Sequence, residues 1–167
     1  MTKKIFFIIL LTIVSCKNSR DSESEFMNCV YSKNSESKLT IENTIFEHEV
    51  YLKSKGLING NNGKDYKRLI KDIADEKIAI NIIGETLALD VQNLDIDVIG
   101  CGEKYSSKDF KAEKLRELFS NMLYKKTDLV KTLNKFNSIV DEEDFKHPFY
   151  KICTFVIIDY FILRLNE

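Results

Sequence analysis

Along most of the chain the apolar positions recur with a period near 3.6, and in one middle stretch with a period of 2. From Thr40 to Lys55, Ile41, Ile45 (with Phe46 beside it), His48 or Glu49, and Leu52 mark one face of a helix that ends at Gly56, with Thr40 as candidate N-cap. Leu57 and Ile58 should pack back on it, and Asn59 to Gly63 (NGNNG) reads as a loop. Lys64 to Ala74 places Tyr66, Leu69, Ile70 and Ile73 on one side of a second helix. Ile78 to Ile83 is rich in β-branched residues, and Thr86 to Val91 alternates through Leu87, Leu89 and Val91. Gly84-Glu85 between them suits a two-residue hairpin turn. A helical reading of 76–90 stays open. Asp95 to Ile99 (DIDVI) alternates cleanly and stops at Gly100.

Ser107 to Lys126 reads as a helix, capped by Ser107, with Phe110, Leu115, Leu118, Phe119, Met122 and Leu123 in one stripe. Thr127 to Val140 offers Leu129, Val130, Leu133, Phe136 and Val140, with Thr127 or Asp128 at its start. Asp141 to Asp144 suits a solvated helix start, where acids favour the dipole. His147-Pro148 breaks the chain. Phe149 to Leu165 is almost continuously apolar and must be central to the core. Its aromatic and β-branched content favours a buried strand over a buried helix. These elements predict an α+β fold, three to four helices packed on one face of a small antiparallel sheet, with a mostly α fold as the alternative.

Composition narrows the function classes. The chain has 167 residues, 44% hydrophobic and 31% charged, enough for one domain and unlike a disordered polar chain. Its formal charge is −1, and Arg supplies only Arg20, Arg68, Arg116 and Arg164. Nothing suggests a nucleic acid partner, which calls for a basic, Arg-rich patch.

The first sixteen residues carry an address. Lys3 and Lys4 precede Ile5 to Val14, a ten-residue run broken only by Thr12. As a helix it spans about 15 Å, half of the roughly 30 Å of a bilayer core, so it reads as the apolar part of a signal peptide. The run ends in Ile13-Val14-Ser15-Cys16, which resembles the signal peptidase II motif of bacterial lipoproteins. That resemblance covers these residues alone. It implies a diacylglyceryl group on Cys16, cleavage before Cys16, and attachment through this lipid anchor to a membrane of the cell envelope, the outer membrane first among them. Cleavage leaves 23 basic residues against 26 acidic ones, a net charge of −3. The implied organisation is a signal peptide over 1–15, lipidated Cys16 and a flexible tether over 16–38, and one globular domain over 39–167. Lys17 to Glu25 is polar throughout. Its Asp21, Glu23 and Glu25 loosely resemble the acidic surface-export cluster of some Bacteroidota lipoproteins, though a merely soluble linker explains them as well. The body is similar in style to small lipoproteins of that phylum.

Candidate chemistry is sparse. With Cys16 lipidated, Cys29, Cys101 and Cys153 remain, and an envelope location permits disulfides. Cys101 and Cys153 lie in apolar segments and form the candidate pair, the alternative being three reduced cysteines. No spacing signals a metal site or a cofactor. His48-Glu49 lacks the second His of a zinc protease, since position 52 is Leu. Gly63-Lys64 lacks the earlier Gly and the following Ser or Thr of a phosphate loop. Asp90, Asp95 and Asp97 are spaced as strand and turn residues, not as a calcium loop. Cys101, His147 and Asp159 could make a nucleophile, base and orienting acid only if the fold assembled them. No catalytic residue is therefore assigned. The expected function is a lipid-anchored, non-catalytic binding or interaction module whose ligand the sequence leaves open, a protein partner among the candidates. The alternatives are an immunity or inhibitor lipoprotein against a periplasmic toxin or hydrolase, and an envelope hydrolase built on His48 or His147.

Overall fold

The computed structural model describes residues 20–32, 35–80, 83, 101, 110–125 and 127–165. Among these the regular elements are all helical: α1 (Arg20–Ser32), α2 (Ser35–Ser54), α3 (Gly63–Ala74), α4 (Phe110–Tyr124), α5 (Leu129–Ile139), a 3-10 turn (Glu142–Lys146) and α6 (Pro148–Leu165). The α+β expectation is overturned, and the described residues form a mostly α fold. Residues 78–80 are irregular chain and a 3-10 turn after α3. The expected strands over 86–91 and 95–99 lie outside the described residues.

The C-terminal run is helix α6, not a strand. Its burial explains why the sequence misled. Tyr150, Cys153, Thr154, Phe155, Ile157, Ile158, Asp159, Phe161 and Ile162 are all buried. The side they leave less buried carries Ile152, Val156, Tyr160 and Leu163, which are apolar too, so the 3.6 period vanishes from the pattern. Length decides the matter, because buried strands run four to eight residues while this helix has eighteen. Pro148 fits the first helical position, where its fixed φ helps and its missing N–H is not needed. Arg164 lies in the last turn, where a cation suits the dipole.

The leader expected to be a tether is also helical from Arg20. Glu23, Met27 and Val30, spaced i, i+4, i+7, are buried along it. Helix α2 likewise begins earlier than expected, at Ser35. Thr40 is thus inside the helix, its carbonyl accepting a hydrogen bond from Thr44 Oγ1 at 2.8 Å. Its predicted end holds. Gly56 takes φ +69°, Gly56 N–H donates to the Lys53 carbonyl at 2.9 Å, and Leu57 N–H donates to that of Leu52 at 2.9 Å. This is the reversed turn that closes many helices with a glycine. Asn62 caps α3 and Asp128 caps α5, each side chain accepting from the backbone N–H three residues on. Ser107 lies outside the described residues.

Helix α3 packs on α5 and on the 3-10 turn, α4 on α5, α1 on α2, and α6 on the 3-10 turn, α2 and α5. Side-chain contacts fix the directions. Tyr150 donates to Glu23, Lys151 Nζ to Glu49 at 2.6 Å, Lys111 Nζ to Asp144 at 2.7 Å, and Lys67 Nζ to the Val140 carbonyl at 2.8 Å. The starts of α1, α3, α4 and α6 and the ends of α2 and α5 therefore gather at one end of the bundle. At the other end, Tyr160 of α6 donates to the Met122 carbonyl of α4 at 2.8 Å.

One glycine is required by close approach. A Cβ on Gly63 would lie 1.8 Å from the carbonyl oxygen of Glu142 and 2.5 Å from its carbon. Both atoms are backbone, so the 3-10 turn would have to move. Gly63→Ala should cost on the order of 1–3 kcal/mol or more through overpacking. Gly56→Ala, with nothing within 4 Å of its new Cβ, should cost only the left-handed penalty of roughly 1–2 kcal/mol. Chemical denaturation of the two variants checks this, and equal midpoints with wild type at Gly63→Ala would contradict the close approach.

Candidate functional site

The NGNNG loop and the 3-10 turn face each other across a cleft of about 330 Å³, with Asn61, Asn62, Lys64, Glu143, Lys146 and Lys151 in its lining. Both walls are set locally. On one side Asp65 collects donors: Gly60 N–H at 2.9 Å, Asn62 Nδ2 at 2.9 Å and Asn59 N–H at 3.3 Å, with Arg68 at 3.2 Å. The amide-rich loop is thus folded around one carboxylate. On the other side Asp141 N–H donates to Asp144 Oδ2 at 2.6 Å, and Lys111 Nζ bonds the same oxygen. Burial works against the Lys111 charge, but Asp144 and Asp141 outweigh it and hold its pKa above the ordinary lysine value. The acidic cluster read from the sequence is therefore a capped turn with lysine partners, Lys146 pairing with Glu143 at 2.6 Å.

Behind the cleft lies a polar network that the sequence did not reveal. Glu49 is buried, accepting from Tyr66 Oη at 2.9 Å and Lys151 Nζ at 2.6 Å. Lys151 also sits 5.6 Å from the centroid of the Tyr66 ring. Tyr66 stacks on Phe145 at 4.9 Å. Burial, then the Glu49 charge, pushes the Tyr66 hydroxyl well above the usual tyrosine range, so it stays protonated and donates. The one sign available was Glu49 on the apolar face of a helix, a position that needs a partner when buried. Nearby, Lys67 reaches across to the Asn137 and Val140 carbonyls at 2.5 and 2.8 Å, completing the end of α5. Burial lowers its pKa against the pull of Asp141, Glu142 and Asp144.

The cysteines pair differently from the expectation. The disulfide joins Cys29 to Cys101, and Cys153 is free and buried. Cys29 lies in a largely polar stretch of the sequence, but once α1 is a helix, its Cys29 side packs toward the core. Burial, then the charge of Glu23, pushes the Cys153 thiol up and keeps it unreactive. Cys16, Asp90, Asp95 and Asp97 lie outside the described residues.

The trio of Cys101, His147 and Asp159 is not assembled. Cys101 is oxidised, and Asp159 lies twelve residues beyond His147 along α6, about 18 Å by helix rise. His147 has a structural position, its Nδ1 accepting from Phe149 N–H at 3.2 Å and its Nε2 3.3 Å from Ser24 Oγ. His48 packs edge-on to Phe155 at 5.1 Å. Among the described residues no group of three or more His, Cys, Asp or Glu side chains is placed to hold a metal ion. What the cleft offers chemically is side-chain amides, ammonium groups and carboxylates for hydrogen bonding. No family model matches the chain, and no curated protein or solved structure is significantly similar to it.

The network predicts a non-additive pair. Lys151→Met strands the Glu49 carboxylate in a buried site and should cost roughly 3–5 kcal/mol. Glu49→Gln with Lys151→Met removes both charges while leaving an acceptor for Tyr66, and should recover most of that loss. A double mutant as unstable as the single one in urea denaturation would contradict the pairing.

Proposed function

We propose that the chain is a lipid-anchored protein of the bacterial cell envelope whose helical domain acts as a binding or interaction module. The observation that carries this reading is Ile13-Val14-Ser15-Cys16 at the end of a ten-residue apolar run. An apolar run this short suits a cleaved signal peptide, and the Cys supplies the thiol for a diacylglyceryl group. Two or three acyl chains, at ~0.8 kcal/mol per buried methylene, suffice for stable anchoring. The Cys29–Cys101 disulfide supports the same compartment, since such bonds persist outside the reducing cytosol.

The cleft supports a module that recognises its ligand or protein partner through polar contacts. The inhibitor reading gains little, because the acidic turn that would plug a basic site is paired with Lys111 and Lys146. The hydrolase reading loses its nucleophile, Cys101, to the disulfide.

Radiolabelled palmitate fed to producing cells should enter the wild-type protein. Cys16→Ala should abolish the label and leave a precursor of higher mass. Undiminished labelling of Cys16→Ala would refute the anchor.

A further inference from the structure

We propose that the domain rests directly on the lipid headgroups, with the end of the bundle that carries the cleft turned to the membrane. This placement rests on the lipid anchor at Cys16 proposed above. Only residues 17–19 lie between Cys16 and Arg20, where α1 begins, four chain steps in all. At ~3.3–3.6 Å per step these four steps reach at most about 14 Å, whatever their conformation. Beyond Arg20 no further slack exists, because α1 is fastened to the body along its length. Tyr150 donates to Glu23 in the interior, Phe26 meets Phe149 edge-on at 5.4 Å, Met27 and Val30 are buried, and Cys29 is bonded to Cys101. A lipid on Cys16 thus fixes the start of α1, and whatever surrounds it, close to the bilayer.

The surroundings are specified by contacts. Ser24 touches His147, the residue next to Lys146 on the rim of the cleft. Tyr150, bonded to Glu23, precedes Lys151, which joins the cleft to Glu49 near the end of α2. The loop that follows α2 carries Asn61 and Asn62. This end therefore presents amides, ammonium groups and carboxylates, which suit a hydrated headgroup layer and not hydrocarbon. Of the exposed apolar side chains, Leu39, Tyr124 and Leu163 belong to the start of α2 and the ends of α4 and α6, at the opposite end, Phe46 lies midway along α2, and Val50 alone lies near the end of α2. Among the described residues no helix is long and apolar enough to cross a membrane. The contact is a polar seat on the lipid surface, and the cleft lies within it.

The test uses the full lipidated chain in phosphatidylethanolamine and phosphatidylglycerol vesicles that contain a headgroup-linked acceptor dye. A donor dye goes on Asn61→Cys in one sample and on Tyr124→Cys in another, both exposed positions. The ends differ in height by up to about 30 Å, the length of a twenty-residue helix. Energy transfer from position 61 should exceed that from position 124 by about twofold or more. A flexible Gly-Ser insertion of about twelve residues between Ser19 and Arg20 should bring the two signals together. Acylated protein with equal transfer from both positions, or more from 124, would overturn the placement while leaving the anchor intact. An unchanged difference after the insertion would overturn the argument from reach. Absence of acyl label in the same samples would overturn the anchor and the placement with it.

Discussion

Helix α6 must be covered on nearly all sides, and the rest of the described fold is arranged to cover it. Between Pro148 and Leu165 the buried side chains include Tyr150, Phe155, Ile157, Ile158, Phe161 and Ile162. At ~1.5–3 kcal/mol for each buried side chain, these six alone are comparable to the net stability of a typical domain before entropy opposes them. Helices α2 and α5 and the 3-10 turn pack against α6. Glu23 and Phe26 of α1 meet its first turn. Leaving out α1 would expose part of that surface, which is why a leader with little apolar content is still drawn into the fold.

The same constraint explains the interior charges. Glu49 and Lys151 lie where α2 meets the first turns of α6, paired at 2.6 Å, and removing either one leaves the other charge without its partner there. Tyr66 and Phe145 complete the setting from α3 and the 3-10 turn. Gly63 allows that turn to approach α3 at backbone distance. The Cys29–Cys101 bond then joins α1 to a position 72 residues away, and by the loop-entropy relation such a closure contributes roughly 4 kcal/mol. The walls of the cleft and the hold on α1 are thus consequences of one packing arrangement.

How far the sequence could be read follows from these particulars. Amphipathic α3 and α5 were legible because each buries one stripe, and their caps at Asn62 and Asp128 are ordinary acceptor side chains. The Gly56 terminator of α2 was legible because glycine is the residue that readily takes the positive φ found there. Helix α6 was not, because its less buried side, Ile152, Val156, Tyr160 and Leu163, is as apolar as its buried one, which erases periodicity and leaves β-branched composition to suggest a strand. Helix α1 was missed because its stripe of Met27 and Val30 includes a buried Glu23, whose partner, Tyr150, is 127 residues away. Cys29 was missed with it. The cleft escaped notice for a similar reason, since its amides and lysines are unremarkable until two distant segments are brought face to face.

The central claim is that α6 is the buried helix on which the domain is organised. Native-state hydrogen exchange resolved by residue tests it most directly. The amides from Thr154 to Ile162 should be the slowest in the protein, exchanging only through global unfolding and shifting together as denaturant is added. Exchange of these amides through local opening, while those of α3 and α5 stay protected, would show that α6 is peripheral and would contradict the account.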